Sequence, residues 1–226
     1  MLRALRKLVS YLVPVSVEKR KSTISPGLEV TLLKGKYVLD SKNVNYSFGG
    51  LHEVFSDSFK HYNIRNRKIN TVLILGFGAG SVASILQHEY KKECAITGVE
   101  KDPEVLELAK KYFGLEKYNN LILYCEDALE YVKRCSDTFD LIVIDVFIDN
   151  LVPGSFHAHD FLTGVKRLLN KNGIVFFNKI SNSPELKIEV AALAAEMNKS
   201  MGRVEKLTLK LHGMENTVLV HQNVSN

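Results

Sequence analysis

From Thr71 onward the chain alternates two kinds of segment. Residues 71–75, 95–99, 121–124, 141–144 and 174–177 are short, almost uninterrupted apolar runs, the pattern of strands buried on both faces. Helical segments separate them. One runs from Ser81 to about Tyr90; another opens Asp102-Pro103-Glu104 and ends Lys110-Lys111 before Gly114. Asp is a good helix cap, Pro suits the first turn, and Gly ends a helix well. This β-α alternation calls for a parallel sheet with helices on both faces. After a long helix from Pro184 to about Met201, residues 204–211 and 217–221 are split only by His212-Gly213-Met214-Glu215-Asn216. They read as an antiparallel hairpin at the sheet edge. The expected fold is therefore α/β, with a doubly wound, mostly parallel seven-stranded sheet.

The first third has a different rhythm. Leu2, Leu5, Leu8, Val9 and Leu12 recur at helical spacing beside Arg3, Arg6 and Lys7, which predicts a short amphipathic helix. Its apolar stripe is expected to dock on its own domain or on a dimer mate rather than on a membrane. Residues 15–17, 28–33 and 36–39 read as strands, with turns at Pro26-Gly27 and Lys34-Gly35. Residues 15–47 then form a small antiparallel sheet, and a helix from about Gly50 to Tyr62 leads onward. The expected division is an appendage at 1–67 and a ligand-binding domain at 68–226.

Composition narrows the class. At 226 residues and 46% hydrophobic, disorder as the main state is excluded, and no apolar run nears the roughly 20 residues that span a bilayer. Cys94, Cys125 and Cys135 are odd in number and widely spaced, so they build neither a disulfide framework nor a zinc or redox motif. Cys94 and Cys125 sit in or beside apolar runs and read as buried free thiols in a reducing, cytoplasmic setting. The start faintly mimics a secretory leader, but no small-x-small cleavage site follows and Glu18-Lys19-Arg20-Lys21 comes next. The net charge of +5 is uneven: residues 1–70 hold 13 Lys/Arg against 5 Asp/Glu. No basic run with interleaved aromatics accompanies that excess, so it reads as a solvated face and no specific nucleic-acid partner is expected.

Candidate chemistry gathers at strand ends. Gly76-Phe77-Gly78-Ala79-Gly80 lies between the first buried strand and its helix, where glycine lets backbone approach a ligand and the helix start offers amide donors. Twenty residues on, Glu100 ends the second strand, where a carboxylate can take both hydroxyls of a ribose. Asp127 follows the third strand, where it can accept from an adenine amine and, compatibly with that, cap the helix at 128–133. Asp145 closes the fourth. Three carboxylates suit a cofactor with amine, hydroxyl and sulfonium groups and would repel a pyrophosphate. His157-x-His159 with Asp160 lacks a third ligand, so no metal is expected.

The order Gly-x-Gly-x-Gly, Glu100, Asp127, Asp145, closed by an antiparallel hairpin, resembles the class I S-adenosylmethionine-dependent methyltransferase fold. Within it, the chain is most similar to the spermidine-synthase-like, or polyamine aminopropyltransferase, group. That likeness rests on the small N-terminal sheet, Leu39-Asp40, His52-Glu53, the run Phe139–Asp145, and Asp160-Phe161-Leu162 leading to Leu168–Gly173. It implies that Gly76, Gly78 and Gly80 shape the pocket, that Glu100 holds ribose and Asp127 adenine, and that Asp145 faces a reacting amine. Asp149, His52 and Glu53 would help hold the acceptor. The co-substrate would be S-adenosylmethionine or its decarboxylated form, the acceptor a small amine, and a homodimer is possible. The chain departs from the group at Ala79, where aminopropyltransferases carry an acid. It departs also at Val44-Asn45-Tyr46 and Gly49-Gly50, and in the longer, more apolar loop from Asp145 to Asp149. Ala79 favours a small-molecule methyltransferase as the alternative activity. A non-catalytic nucleoside-binding protein is the rival outside enzymes.

Overall fold

The computed structural model describes residues 2–25, 27–41, 45–47, 50–147 and 152–224, with backbone only at 2, 3, 45–47 and 50. Helix α1 (Leu2–Val9) precedes four strands, β1 (Val15–Arg20), β2 (Leu28–Leu33), β3 (Lys36–Asp40) and β4 (Asn45–Ser47), which form an antiparallel sheet in that order. Helix α2 (Gly50–His61) leads into β5 (Thr71–Leu75), α3 (Ser81–Ala83, continuing as wider π-helical turns over Ser84–Glu89) and β6 (Ala95–Glu100). There follow α4 (Pro103–Tyr112), β7 (Leu121–Cys125), α5 (Ala128–Arg134), β8 (Phe139–Ile144), α6 (His159–Arg167) and β9 (Leu169–Ile180). Helix α7 (Pro184–Met201) and the hairpin β10 (Val204–Leu211) and β11 (Met214–Gln222) complete the chain.

The large sheet has the order β10-β11-β9-β8-β5-β6-β7. Strands β9, β8, β5, β6 and β7 are parallel, and β11 and β10 are antiparallel. Each parallel strand sends alternate side chains to opposite faces. Val72, Ile74, Val143 and Phe176 join one buried cluster, while Leu73, Leu75, Ile144 and Phe177 join the other. Two covered faces are why these strands read as continuous apolar runs. The chain leaves β5 toward β6 and later returns to β5's other side with β8. Loops therefore diverge at the carboxyl end of β5, the place where open α/β sheets bind ligands.

Three expectations change. Strand β9 starts at Leu169, earlier than Ile174, because residues 170–173 are absorbed as a bulge: Phe139 pairs with Leu169 but Leu141 with Ile174. Cys125 is exposed rather than buried, since β7 is an edge strand; Cys94 and Cys135 are buried. Helix α1 does not dock its apolar stripe on its own domain. Its Ser10 end is buried instead, where the Ser10 hydroxyl accepts from the Gly35 amide at 3.0 Å, while Leu8 and Leu12 stay 68% and 87% exposed.

The small sheet is fastened to α4. Glu18 pairs with Lys111 at 2.6 Å and accepts from the Tyr112 hydroxyl at 2.5 Å; Arg20 reaches Glu104 at 3.0 Å. Leu28, Val30 and Leu39 share a cluster with Val105 and Leu108. On the other side of the site-bearing loop, Phe77 packs over Gly98 in β6. A Cβ at Gly98 would lie 2.4 Å from Phe77 Cδ2 and 2.7 Å from Leu123 Cδ2. Gly98→Ala is therefore expected to cost about 1–3 kcal/mol through overpacking, read as a lowered melting temperature.

Candidate active site

Sheet order brings the carboxyl ends of β5, β6, β7 and β8 around one cavity of about 440 Å³. The glycine loop forms its floor. The Gly76 and Phe77 amides both donate to Val99 O, at 2.9 and 3.0 Å, and the Asp145 amide donates to Leu75 O at 2.8 Å. Gly76 has φ +83°, and a Cβ there would sit 2.2 Å from the Asp145 carbonyl oxygen. Glycine is thus required for the backbone of Asp145 to cross the loop this closely.

Glu100 is 8% exposed and lines the cavity. One carboxylate oxygen accepts from the Gly78 amide at 2.9 Å and the other from the Asp102 amide at 3.0 Å. Burial pushes its carboxyl upward, partly opposed by those amide hydrogen bonds. A carboxylate offers about four lone-pair positions, so acceptor capacity remains for a ribose hydroxyl.

Asp127 also lines the cavity, and the helix-capping role is realised. One oxygen accepts from the Leu129 amide at 2.8 Å while the other meets Lys101 Nζ at 2.9 Å. Burial pushes its carboxyl up, but Lys101 and the amide outweigh that and hold it below the usual range. An adenine amine would share the oxygen that Lys101 now occupies. The neighbouring Glu126 is paired with Arg134.

Asp145 sits opposite, and burial pushes its carboxyl up to about 7, with the Asn178 hydrogen bond pulling down and the charge of Glu100 pushing up. Asn178 Nδ2 donates to Asp145 Oδ1 at 3.0 Å. Asn178 is 1% exposed, and its buried amide oxygen has no hydrogen-bond partner among the described residues. A buried acceptor left unpaired costs free energy until a donor arrives. The Asp145 carboxylate, held by Asn178, is an acceptor that lines the cavity. The sequence reading missed Asn178.

The remaining site candidates are dispersed. Glu53 pairs at 2.9 Å with His212, which lines the cavity, so it meets the site's rim through that ring. His52 turns to Glu89 at 2.6 Å and is not on the cavity wall. Asp149 lies outside the described residues. Ala79 is fully buried in the apolar cluster and is not on the cavity wall, and the glycine loop, having no acid, brings no carboxylate to the cavity. Gly80, at φ +90°, precedes α3 and packs against Phe77. His159 bonds Glu196 and Ser200, joining α6 to α7, while His157 faces Phe177. Among the described residues no group of three or more His, Cys, Asp or Glu could hold a metal ion, and no helix is long and apolar enough to cross a membrane.

A doubly wound sheet of this order, with a glycine loop at its switch point and an antiparallel closing hairpin, is a Rossmann-like fold of the methyltransferase type. Solved structures agree. A probable spermidine synthase from Corynebacterium glutamicum superposes with a TM-score of 0.74 at 17% identity, covering 93% of this chain and 80% of that one. Human methyltransferase-like protein 13, in complex with SAH, superposes with a TM-score of 0.61 at 22% identity, covering 74% and 81%. At these identities the likeness concerns the fold alone. The chain belongs to the spermine/spermidine synthase domain family, whose model matches residues 54–212. Among curated relatives, a polyamine aminopropyltransferase from Vibrio vulnificus is 34% identical over 121 residues, 52% of this chain and 40% of that protein. An eEF1A lysine and N-terminal methyltransferase homolog from Drosophila pseudoobscura pseudoobscura is 33% identical over 130 residues, 54% of this chain and 19% of that protein. The matched segments thus span between about a fifth and two fifths of these relatives' own lengths.

Proposed function

We propose that the chain is an S-adenosylmethionine-dependent transferase that methylates an amine. The observation that carries this reading is the half-buried Asp145 held by the buried Asn178, facing the same cavity as Glu100 and the glycine loop. Bound in that cavity, S-adenosylmethionine would supply a sulfonium-linked methyl carbon open to attack by a neutral amine, leaving S-adenosylhomocysteine. Glu100 holds the ribose hydroxyls. Asp127 and Lys101 meet the base edge. Asp145, held by Asn178, accepts an N–H bond of the amine, which aims the nitrogen lone pair away from the carboxylate and toward the cofactor.

Asp145 then takes the proton that the nitrogen sheds. A lysine-type amine titrates near 10.4, so passing its proton to an ordinary carboxyl near 3.9 is uphill by about 9 kcal/mol. With Asp145 raised to about 7, that gap shrinks to about 5 kcal/mol. The names of both curated relatives carry an amine acceptor, polyamine in one and lysine or N-terminus in the other.

Methyl transfer is favoured over aminopropyl transfer by Ala79. An acid in the glycine loop would attract the bare ammonium of the decarboxylated cofactor and repel a carboxylate tail; Ala79 does neither. Calorimetry is expected to show S-adenosylmethionine binding at least as tightly as its decarboxylated form. Turnover on a panel of polyamines and peptide amines is expected to release S-adenosylhomocysteine rather than methylthioadenosine. Strong preference for the decarboxylated form would restore an aminopropyltransferase. Tight nucleoside binding with no turnover on any amine would favour a non-catalytic binding protein.

A further inference from the structure

The link between β1 and β2 crosses from the small sheet to the rim of the cavity, and its Ile24 and Ser25 are part of the cavity wall. One side chain sets its path. Ser22 Oγ accepts from the Ile24 and Ser25 amides at 2.9 and 3.1 Å and donates to Asp102 Oδ2 at 2.5 Å. Asp102 is 1% exposed and is bonded on three sides. Its other oxygen caps α4 through the Glu104 amide at 2.9 Å, and its own amide donates to Glu100 Oε1 at 3.0 Å. A continuous chain of hydrogen bonds therefore runs from Ser22 through Asp102 to the carboxylate assigned to the ribose.

We propose that the segment around Ser22 is a strap that completes the adenosyl pocket, with Ser22 as a positioning residue for Glu100. The inference rests on the adenosyl reading of the cavity. It gives the small N-terminal sheet a role in ligand binding. The Glu18–Lys111 and Arg20–Glu104 pairs hold β1 against α4 on one side of the strap. On the other side Leu28, 1% exposed, is packed into the shared core. Between these anchors the Ser22–Asp102 bond ties the strap to the α/β body. Losing it leaves Asp102 Oδ2 without its donor and takes from the Ile24 and Ser25 amides the oxygen that accepts from them. Glu100 then loses part of the scaffold that fixes its second oxygen. None of these hydrogen bonds reaches Asp145 or Asn178.

The test compares wild type with Ser22→Ala, Ser22→Thr and Ser22→Asp, using S-adenosylhomocysteine as the probe. Ser22→Ala is expected to raise its Kd by roughly three- to tenfold, the scale of one lost hydrogen bond to a charged group felt at one remove. The acceptor KM, measured at saturating cofactor, is expected to stay within twofold. Amide exchange at Ile24 and Ser25 is expected to speed up. Ser22→Thr keeps the hydroxyl and is expected to bind as wild type does. Ser22→Asp sets a second carboxylate against Asp102 and is expected to bind weakest, since two like charges in contact repel. A Ser22→Ala protein with wild-type affinity and wild-type exchange at 24–25 overturns the strap while leaving the proposed function standing. Equal losses in Ser22→Ala and Ser22→Thr would also overturn it, because the hydroxyl would then not be the tether. Failure of the wild type itself to bind any adenosyl ligand would sink the proposed function and this inference together.

Discussion

An Asp145→Asn variant is expected to turn over about 10²–10⁴-fold more slowly than wild type, with its affinity for S-adenosylhomocysteine nearly unchanged. The substitution keeps the shape of the side chain, and Asn178 Nδ2, now 3.0 Å from Asp145 Oδ1, can donate to the new amide oxygen as before. What disappears is the ability to take a proton. If Asp145 served only to brace the start of the loop that follows β8, the asparagine would brace it equally and turnover would survive. Equal activity of the two proteins on a responsive amine would therefore remove Asp145 from the chemistry.

The same carboxyl predicts opposite pH trends for stability and activity. Burial raises Asp145 from 3.8 to about 7 in the folded chain. Between those values the folded protein holds a proton that the unfolded chain releases, so this group's contribution to stability falls as pH rises from about 4 to about 7. Activity should rise across the upper part of that window, as the carboxylate forms. A cationic sulfonium ligand favours the carboxylate and should move the midpoint below 7, whereas the neutral thioether of S-adenosylhomocysteine should move it less. Titration of the Asp145 carboxyl by NMR with each ligand reads both effects, and Asp145→Asn should flatten the activity limb.

What the sequence made legible was whatever repeats along the chain or sits at a fixed distance from a strand. The parallel strands were readable because both faces of the sheet are covered, and Glu100 and Asp145 because each closes such a run. Asn178 was missed because it ends an apolar run, Ile174–Phe177, that reads as pure core. A signal existed. Ile144 lies opposite Phe177 in the parallel register, so the next residue of β9 falls beside Asp145. Ser22 had no comparable signal: its partner is Asp102, 80 positions away, and only the docking of the small sheet on α4 brings them together. His52 and Glu53 were tied to the acceptor through a motif. On the helix, neighbouring residues face about 100° apart, so Glu53 pairs with the cavity-lining His212 while His52 pairs with Glu89. The outward face of α1 was unreadable for another reason. Periodicity shows that a helix has an apolar stripe, but the Ser10–Gly35 contact decides which side meets the protein.

Replacing Glu100 by alanine should weaken adenosyl binding by about 10- to 150-fold, the equivalent of the roughly 1.5–3 kcal/mol of a hydrogen bond to a charged group. Two effects act in the same direction. The ribose loses its acceptor, and the Gly78 and Asp102 amides, which donate to Glu100 at 2.9 and 3.0 Å, lose theirs. The glycine loop and the start of α4 are then no longer pinned to one another, so part of the loss is a looser pocket rather than a missing contact. Glu100→Asp separates the two. Its carboxylate keeps the charge but is one methylene too short to meet both amides and the ribose, so its affinity should fall between wild type and alanine. Its melting temperature should lie nearer wild type, because one amide partner can be kept. Calorimetry with S-adenosylhomocysteine, paired with thermal melts of all three proteins, gives the ordering. Unchanged affinity in a folded Glu100→Ala protein would place the nucleoside somewhere other than this cavity, and with it would go the roles assigned to Asp127 and the glycine loop.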